Sequence, residues 1–119
     1  MAKKRKRYEK LSIRNKLSNK ISKWKKLTPN SDITVDYLYD LYNKQEGKCY
    51  YTGEIMEWNM SKVQNNALSL DRLDPDKGYM QGNLVFCCYK INAMKWNSNE
   101  KDFYNIMLQI LKHKGIIND

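Results

Sequence analysis

The chain has 119 residues and a formal net charge of +9, a size that suits one domain, because domains usually contain about 100–150 residues. Hydrophobic residues make up 41% of the chain, which is enough for a buried core and excludes a wholly disordered protein. No apolar run approaches the roughly 20 residues of a membrane-spanning helix, and the N-terminus lacks the apolar segment of a signal peptide. The three cysteines do not form a disulfide framework, so we expect a soluble, cytoplasmic protein without a membrane partner.

The excess of positive charge lies near the N-terminus. Residues 1–26 contain twelve Lys and Arg side chains and one acidic residue, whereas residues 27–119 carry a net charge of −2. A basic block of this density neutralises phosphates and releases their counterions, so nucleic acid is the first partner to consider, ahead of an anionic membrane surface. The alternative is a basic segment that is only solvated.

Helical spacing of apolar residues predicts two helices in the first part of the chain. The first is a basic amphipathic helix over residues 8–27, preceded by a loose arm, and the breakers that follow it begin at Thr28. Thr34 then caps a second helix with a buried apolar stripe, which ends at Gly47.

From Ala67 onward the apolar period changes to two residues, which is typical of a β-strand. The breakers of residues 74–78 predict a turn, after which residues 84–87 form a second strand and residues 89–96 a short helix. A last helix, over residues 98–114, completes an α+β domain. The expected buried residues of that helix are Phe103, Ile106, Met107, Ile110 and Leu111.

The hairpin and short helix carry a recognisable set of polar residues within the segment LDRLDPDKGYMQGNLVFCCYKINAMK. These are Asp71 and Arg72 at the end of the first strand, Asn83 at the start of the second, and Asn92 on the helix, three residues before Lys95. In this order and spacing the segment resembles the HNH nuclease motif. The resemblance implies a ββα-metal fold, in which a hairpin and helix form the core and N- and C-terminal helices wrap around it.

The resemblance also suggests how the chain is divided. Residues 1–30 would form a basic arm and amphipathic helix, and residues 31–119 an HNH-like nuclease domain. The motif core would cover residues 48–96, and the C-terminal helix would follow it.

The activity that the resemblance implies is metal-dependent hydrolysis of phosphodiester bonds in DNA, double-stranded DNA above all. Asp71 and Asn92 would hold one Mg²⁺ or Mn²⁺ ion, because carboxylate and amide oxygens suit hard cations. Asn83 would tie the loop together and orient the catalytic position. A monomer would nick one strand, and a homodimer would cut both. The small size would fit an origin in a phage or mobile element.

The sequence departs from the family's pattern at Arg72, which stands where the family has a general-base histidine. A guanidinium stays protonated, so Arg72 is suited to gripping the scissile phosphate and not to accepting a proton. The acceptor would be a metal-bound hydroxide, a substrate phosphate oxygen or a nearby side chain. Our hypothesis is that Tyr79 is the base or a positioning group, although an aromatic residue beside a turn is often only packed. The one histidine, His113, lies near the end of the last helix.

A second departure concerns zinc, which many relatives bind through four cysteines. Thr52 and Ile91 stand where two of these would be, beside Cys49 and Cys88. Structural zinc takes four ligands, so we expect none, with the cysteines packed as small hydrophobic residues.

Several basic residues are expected to contact nucleic acid. They are Lys3, Lys4, Arg5, Lys6, Arg7, Arg14, Lys23, Lys77 and Lys95. Two other functions stay open: a catalytically inactive HNH-like module that only binds nucleic acid, and an RNA-associated basic protein in which the motif is coincidental.

Overall fold

The computed structural model describes residues 2–58 and 64–118, with the side chains of the first helix described from residue 12 onward. Among these residues, four α-helices and a two-stranded antiparallel sheet form an α+β fold, as predicted. The helices are α1 (Ala2–Leu27), α2 (Val35–Lys44), α3 (Tyr89–Lys95) and α4 (Glu100–His113), and the strands are β1 (Leu68–Arg72) and β2 (Leu84–Cys88). A short 3₁₀ helix, Pro75–Lys77, lies between the strands. None of the described helices combines the length and apolarity needed to cross a bilayer.

The first helix is longer than predicted. It begins at Ala2 instead of residue 8, so the backbone of the arm that we expected to be loose is helical. Lysine and arginine are strong helix formers, and neither glycine nor proline interrupts the segment before Pro29. Further along the helix, Ile13 and Leu17 are buried in the main core. The nucleic-acid contacts predicted for residues 3–7 fall outside the described side chains.

The second helix is attached to the hairpin through its C-terminal end. Thr34 caps α2 as predicted, since its hydroxyl accepts a hydrogen bond from the N–H of Tyr37 at 3.0 Å. After the helix, the side-chain amide of Gln45 forms hydrogen bonds of 2.8 Å with both backbone groups of Phe86. Together with the N–H of Tyr50, which donates to the same carbonyl oxygen of Phe86 at 3.0 Å, these bonds satisfy the edge of β2 that faces away from β1.

The hairpin lies at the centre of the fold. β1 and β2 pair with Asp71 opposite Val85 and Arg72 opposite Leu84. All residues of β2 are buried, because α2 packs on this strand and α3 packs on both strands. Since α3 follows β2 directly, it begins beside Leu68, which is paired with Cys88 at the end of β2. The helix then runs back over β1, so that Lys95 at its C-terminal end reaches Arg72 at the end of that strand.

The last helix is packed less than predicted. Asn99 caps α4, with its Oδ1 atom accepting a hydrogen bond from the N–H of Asp102 at 2.8 Å. Phe103 is buried as expected, but Ile106 and Ile110 are each 54% exposed. Apolar spacing shows which side of a helix is apolar, but not whether another element reaches that side. The expected burial of these two residues was therefore wrong.

Candidate active-site cleft

A cleft of about 380 Å³ lies between β1 and α3, and we call it the β1–α3 cleft. Its walls include four of the predicted site residues, which are Asp71, Arg72, Tyr79 and Asn92. Two of them end β1, one follows the 3₁₀ helix, and one lies on α3. The antiparallel pairing and the immediate start of α3 after β2 bring these three regions together.

The carboxylate of Asp71 is held from two sides. Asp71 is 4% exposed, and its Oδ2 atom accepts a hydrogen bond of 2.6 Å from the hydroxyl of Tyr51. Its Oδ1 atom lies 3.3 Å from the ammonium group of Lys95. A carboxylate offers about four acceptor positions. The two contacts therefore orient Asp71 and leave it with acceptor capacity at the cleft.

Lys95 lies in the interior, not at the surface. Its side chain is fully buried, and its ammonium group also donates to the carbonyl oxygen of Arg72 at 2.8 Å. The predicted contact between Lys95 and a phosphate is therefore corrected, because a buried ammonium group that is paired with Asp71 does not face solvent. Burying either charge alone would be costly, so the two residues act as one unit.

Arg72 is positioned by an aromatic ring. Its guanidinium group lies over the ring of Tyr79, 5.2 Å from the ring centre, which is a cation–π contact. A cation–π contact occupies none of the hydrogen-bond donors of a guanidinium group, so these donors can still bind an anion. Burial raises the pKa of Tyr79, with Arg72 opposing this rise and Asp71 adding to it. A phenol with a raised pKa is a poor proton acceptor near neutral pH, so the geometry favours Tyr79 as a positioning group.

Asn83 supports the loop from behind the cleft. Its side-chain NH₂ group donates to the carbonyl oxygens of Asp74 and Gly78 at 2.9 and 2.8 Å. Its Oδ1 atom accepts a hydrogen bond from the N–H of Asp74 at 3.0 Å. Asn83 is 7% exposed and is not among the residues that line the cleft. It shapes the loop that carries Tyr79.

Gly78 allows this loop to pass close to the end of α1. Its φ angle is 70°, and a Cβ atom added to it would lie 2.6 Å from Oγ1 of Thr28. The same hydroxyl oxygen accepts a hydrogen bond of 2.8 Å from the N–H of Tyr79. A glycine is needed here, because any side chain would separate Tyr79 from its partner on Thr28.

A second cavity, of about 390 Å³, lies between the cleft and α1, and we call it the α1 cavity. The residues that line both spaces are Ser69, Leu70, Tyr79 and Asn92. On the side of α1 the cavity is lined by Lys20, Lys23 and Trp24. Burial and then the neighbouring ammonium groups of Lys16 and Lys23 lower the pKa of Lys20. A bound phosphate would relieve this repulsion between like charges.

Other basic residues predicted to bind nucleic acid are placed differently. The guanidinium group of Arg14 pairs with Asp36 and lies 5.2 Å from the ring centre of Tyr39, so it connects α1 to α2. Lys77 is exposed at the end of the 3₁₀ helix. Among the predicted residues whose side chains the structure describes, Lys23 lines the α1 cavity.

Sequence reasoning missed several residues around the site. Tyr51 comes from a distant segment, and no local pattern points to its hydrogen bond with the site. Tyr89 and Trp96 line the cleft and are 49% and 77% exposed, a property that only the fold reveals. Lys20 could have been found from its helical spacing of three residues from Lys23.

The cysteines lie in the interior. The N–H of Cys88 donates to Sγ of Cys49 at 3.3 Å, and burial raises the pKa of Cys88 to about 12. Across residues 2–58 and 64–118, no group of three or more His, Cys, Asp or Glu side chains is arranged to hold a metal ion. This finding does not concern the predicted pair of Asp71 and Asn92, because an asparagine is not one of these residue types and the pair has only two members.

Asp71 and Asn92 are the residues that could hold a divalent ion in the cleft. The NH₂ group of Asn92 donates to Oγ of Ser69 at 2.6 Å, which fixes the amide beside β1. Mg²⁺ in proteins is commonly bound by one or two carboxylates together with waters and substrate phosphates. The donor set fits such an ion. Because Lys95 offsets the charge of Asp71, a substrate phosphate would have to supply much of the attraction.

Relatives do not establish the family of this chain. No protein-family model matches it, and no curated protein matches it. The motif and the cleft are therefore the features that bear on its function.

Proposed function

We propose that this protein is a metal-dependent endonuclease of the HNH type, which hydrolyses phosphodiester bonds in DNA. One observation carries the proposal: the metal-ligand candidates, Arg72 and Tyr79 all line the same cleft of about 380 Å³. The hairpin followed directly by α3 supports a ββα-metal arrangement, since this helix packs on both strands.

Asp71 and Asn92 would hold Mg²⁺ or Mn²⁺ in the β1–α3 cleft, beside the scissile phosphate. When bound, the ion would neutralise the charge that builds on the phosphate and stabilise the leaving 3′ oxygen. Tyr51 and Lys95 keep the carboxylate of Asp71 in one orientation, since both contact it directly.

Arg72 would bind the scissile phosphate through two parallel hydrogen bonds, the geometry that a guanidinium group favours with oxyanions. Tyr79 would hold the guanidinium group at the cleft through its ring. A guanidinium group has hydrogen-bond donors but no acceptor, and the pKa of Tyr79 is raised. Neither side chain therefore takes the proton of the attacking water near neutral pH. That proton would pass to a phosphate oxygen of the substrate or to solvent.

The basic N-terminal helix would supply sequence-independent affinity for DNA. Lys20 and Lys23 line the α1 cavity, which shares residues with the β1–α3 cleft, so phosphates next to the scissile one would meet these lysines. Acting in the cytoplasm as a monomer, the protein would nick one strand of double-stranded DNA.

A second candidate is a catalytically inactive HNH-like module that only binds nucleic acid. The pairing of Asp71 with Lys95 favours this alternative, because it weakens the attraction of the carboxylate for a metal ion. The replacement of the general-base histidine by Arg72 favours it too.

Nicking of supercoiled plasmid distinguishes the two candidates. The proposed enzyme converts the plasmid to open circles only when Mg²⁺ or Mn²⁺ is present. We expect Asn92→Ala and Arg72→Ala each to slow this conversion by about 100-fold, the usual loss when one transition-state contact is removed. Asn97→Ala is the matched control, because Asn97 lines the same cleft without an assigned role, and its rate should stay within about twofold.

Binding to the same plasmid in EDTA completes the test. Wild-type protein that binds DNA but does not cleave it with either ion contradicts the enzymatic proposal and supports the binding module. Protein that does not bind DNA contradicts both candidates. Asp71→Ala is a weaker variant for this purpose, because it also leaves Lys95 buried without its partner.

A further inference from the structure

Trp96 is the most exposed large hydrophobic side chain in the described part of the chain, at 77%. It follows α3 directly and lines the β1–α3 cleft, as does Tyr89, which is 49% exposed. Burial of aromatic surface is favourable, so a ligand that covers the exposed indole ring would gain binding free energy. At the wall of a cleft, such a face suits a ligand that has a flat aromatic group of its own.

The backbone of Trp96 is held in an unfavourable conformation. Its φ angle is 49° and its ψ angle is −117°, a region that residues with a side chain avoid and glycine adopts readily. Its N–H donates to the carbonyl oxygen of Asn92 at 3.0 Å, and the carbonyl oxygen of Lys95 accepts a hydrogen bond from the Ser98 hydroxyl at 2.6 Å. Strain of this kind persists where the surroundings impose it, and it is concentrated at ligand sites.

The charges around Trp96 favour an anionic ligand. Arg72 lines the same cleft, and Lys20 and Lys23 line the α1 cavity beside it. The carboxylate in the cleft, Asp71, is offset by the buried Lys95. A ligand that combines negative charge with a flat aromatic group is a nucleotide, and basic grooves with aromatic side chains are typical of proteins that bind single strands.

We propose that Trp96 stacks on an unpaired base whose phosphate lies at Arg72, so that the cleft selects single-stranded or locally unpaired nucleic acid. In a continuous duplex the faces of the bases are covered by their neighbours, so the indole has nothing to stack on. Duplex segments are still held through their phosphates by α1. The inference rests on the proposed function, since it takes the cleft as the place where the strand lies. Supercoiled plasmid stays a substrate, because negative supercoiling favours local unpairing.

Binding without cleavage tests the proposal. Fluorescence anisotropy is measured in EDTA at fixed salt with a labelled single strand of about 12 nucleotides and with a hairpin duplex of similar length. Trp96→Ala is expected to weaken binding to the single strand by about tenfold and to change binding to the duplex by less than about twofold. Trp96→Phe should retain most of the affinity, because a phenyl ring still stacks. The measurement is repeated with an RNA strand of the same sequence. A loss of affinity that is confined to the single strand, whether DNA or RNA, supports the proposal.

Met94→Ala is the matched control. Met94 is 66% exposed on the same helix but does not line the cleft, so this variant should bind both oligonucleotides as the wild type does. A loss with Met94→Ala that equals the loss with Trp96→Ala overturns the proposal. If Trp96→Ala weakens binding to the single strand and to the duplex equally, the proposal is overturned. It is also overturned if Trp96→Ala weakens neither, because the exposed indole ring would then bind something else, such as a protein surface.

Trp96→Gly separates stacking from folding. Glycine adopts the backbone angles of this position without strain, so the variant should melt a few degrees higher while binding the single strand about tenfold more weakly. A merely structural tryptophan would instead lose stability and binding together, which would overturn the proposal. Because no divalent ion is present, a selective loss supports the inference even where the plasmid is not cleaved. Plasmid cleavage combined with unchanged binding by the Trp96 variants overturns the inference alone.

Discussion

Asp71 and Lys95 form the ion pair on which the candidate site depends. Their side chains are 4% and 0% exposed, so both charges have lost nearly all contact with water. Each charge is tolerable only because the other is present. Since this pair is neutral, the guanidinium group of Arg72 sets the net charge at the end of β1. We therefore expect the site to bind phosphate readily and to bind a divalent ion well only when the phosphate is present.

Removing the carboxylate should destabilise the fold, and removing both charges should restore it. Asp71→Asn leaves the buried ammonium group of Lys95 without an anion, and we expect the free energy of unfolding to fall by about 3 kcal/mol. The double variant Asp71→Asn/Lys95→Met should recover most of this loss, because a methionine needs no charged partner. Urea unfolding of the wild type, the single variant and the double variant measures both changes. A double variant that is no more stable than Asp71→Asn would show that the ion pair is not the cause.

Among the elements, the segment that joins α1 to α2 determines where Tyr79 lies. Thr28 accepts a hydrogen bond from the N–H of Tyr79, and the hydroxyl of Ser31 donates to its carbonyl oxygen. Two residues further on, the N–H of Gln81 donates to Oδ1 of Asp32 at 2.8 Å. The loop between the strands is thus held against the end of the basic helix. This contact couples the helix that would bind phosphates to the ring that positions the guanidinium group.

Substitution of Gly78 tests this coupling. Gly78→Ala places a Cβ atom 2.6 Å from Thr28 at a φ angle of 70°, so we expect both strain and displacement of the loop. The free energy of unfolding should fall by about 2 kcal/mol, and plasmid nicking should slow because Tyr79 moves. Gly53→Ala is the control, since Gly53 has a φ angle of 76° but nothing within 4 Å of an added Cβ atom. Equal losses of stability in thermal unfolding would mean that the contact with Thr28 contributes nothing.

In the molecule as a whole, three side chains of the interior, Tyr51, Cys87 and Cys88, hold their protons more tightly than they do in the unfolded chain. Burial, the hydrogen bond to Asp71 and the charge of that carboxylate raise the pKa of Tyr51. Burial is also the main reason why the pKa of Cys87 is raised and that of Cys88 rises to about 12. In the unfolded chain these groups titrate at about 8.5 for cysteine and about 10 for tyrosine. The unfolded state therefore releases their protons at a lower pH than the folded state.

Stability should fall in alkaline solution for this reason. A group whose pKa is higher in the folded state contributes its full stabilisation below the unfolded pKa and loses it as the pH rises further. We expect the free energy of unfolding to decrease above about pH 8.5 and to decrease more steeply above about pH 10. Urea unfolding between about pH 7 and about pH 11 measures this, with Tyr51→Phe as the variant that should reduce the steepness above about pH 10. A profile that stays flat to the alkaline end would contradict the expectation.

Local sequence patterns were sufficient to predict the two strands, the loop between them and the cap of α2. The period of two residues that begins at Ala67 predicted β1, and the side chain of Thr34 caps α2 as expected. Such features depend on residues a few positions apart, so they can be seen in the sequence. The residues of the motif, including Asp71 and Asn92, were found in the same way, from their order and spacing, and their catalytic roles stay predictions.

Contacts between segments that are distant in the sequence could not be predicted from local patterns. The burial of Lys95, the hydrogen bond from Tyr51 and the open face of Trp96 depend on how the helices pack around the hairpin. The apolar spacing on α4 likewise identified an apolar side, but not that Ile106 and Ile110 on this side are exposed to solvent. A side chain's partners are set by the packing of elements far apart along the chain, and periodicity contains no information about that packing.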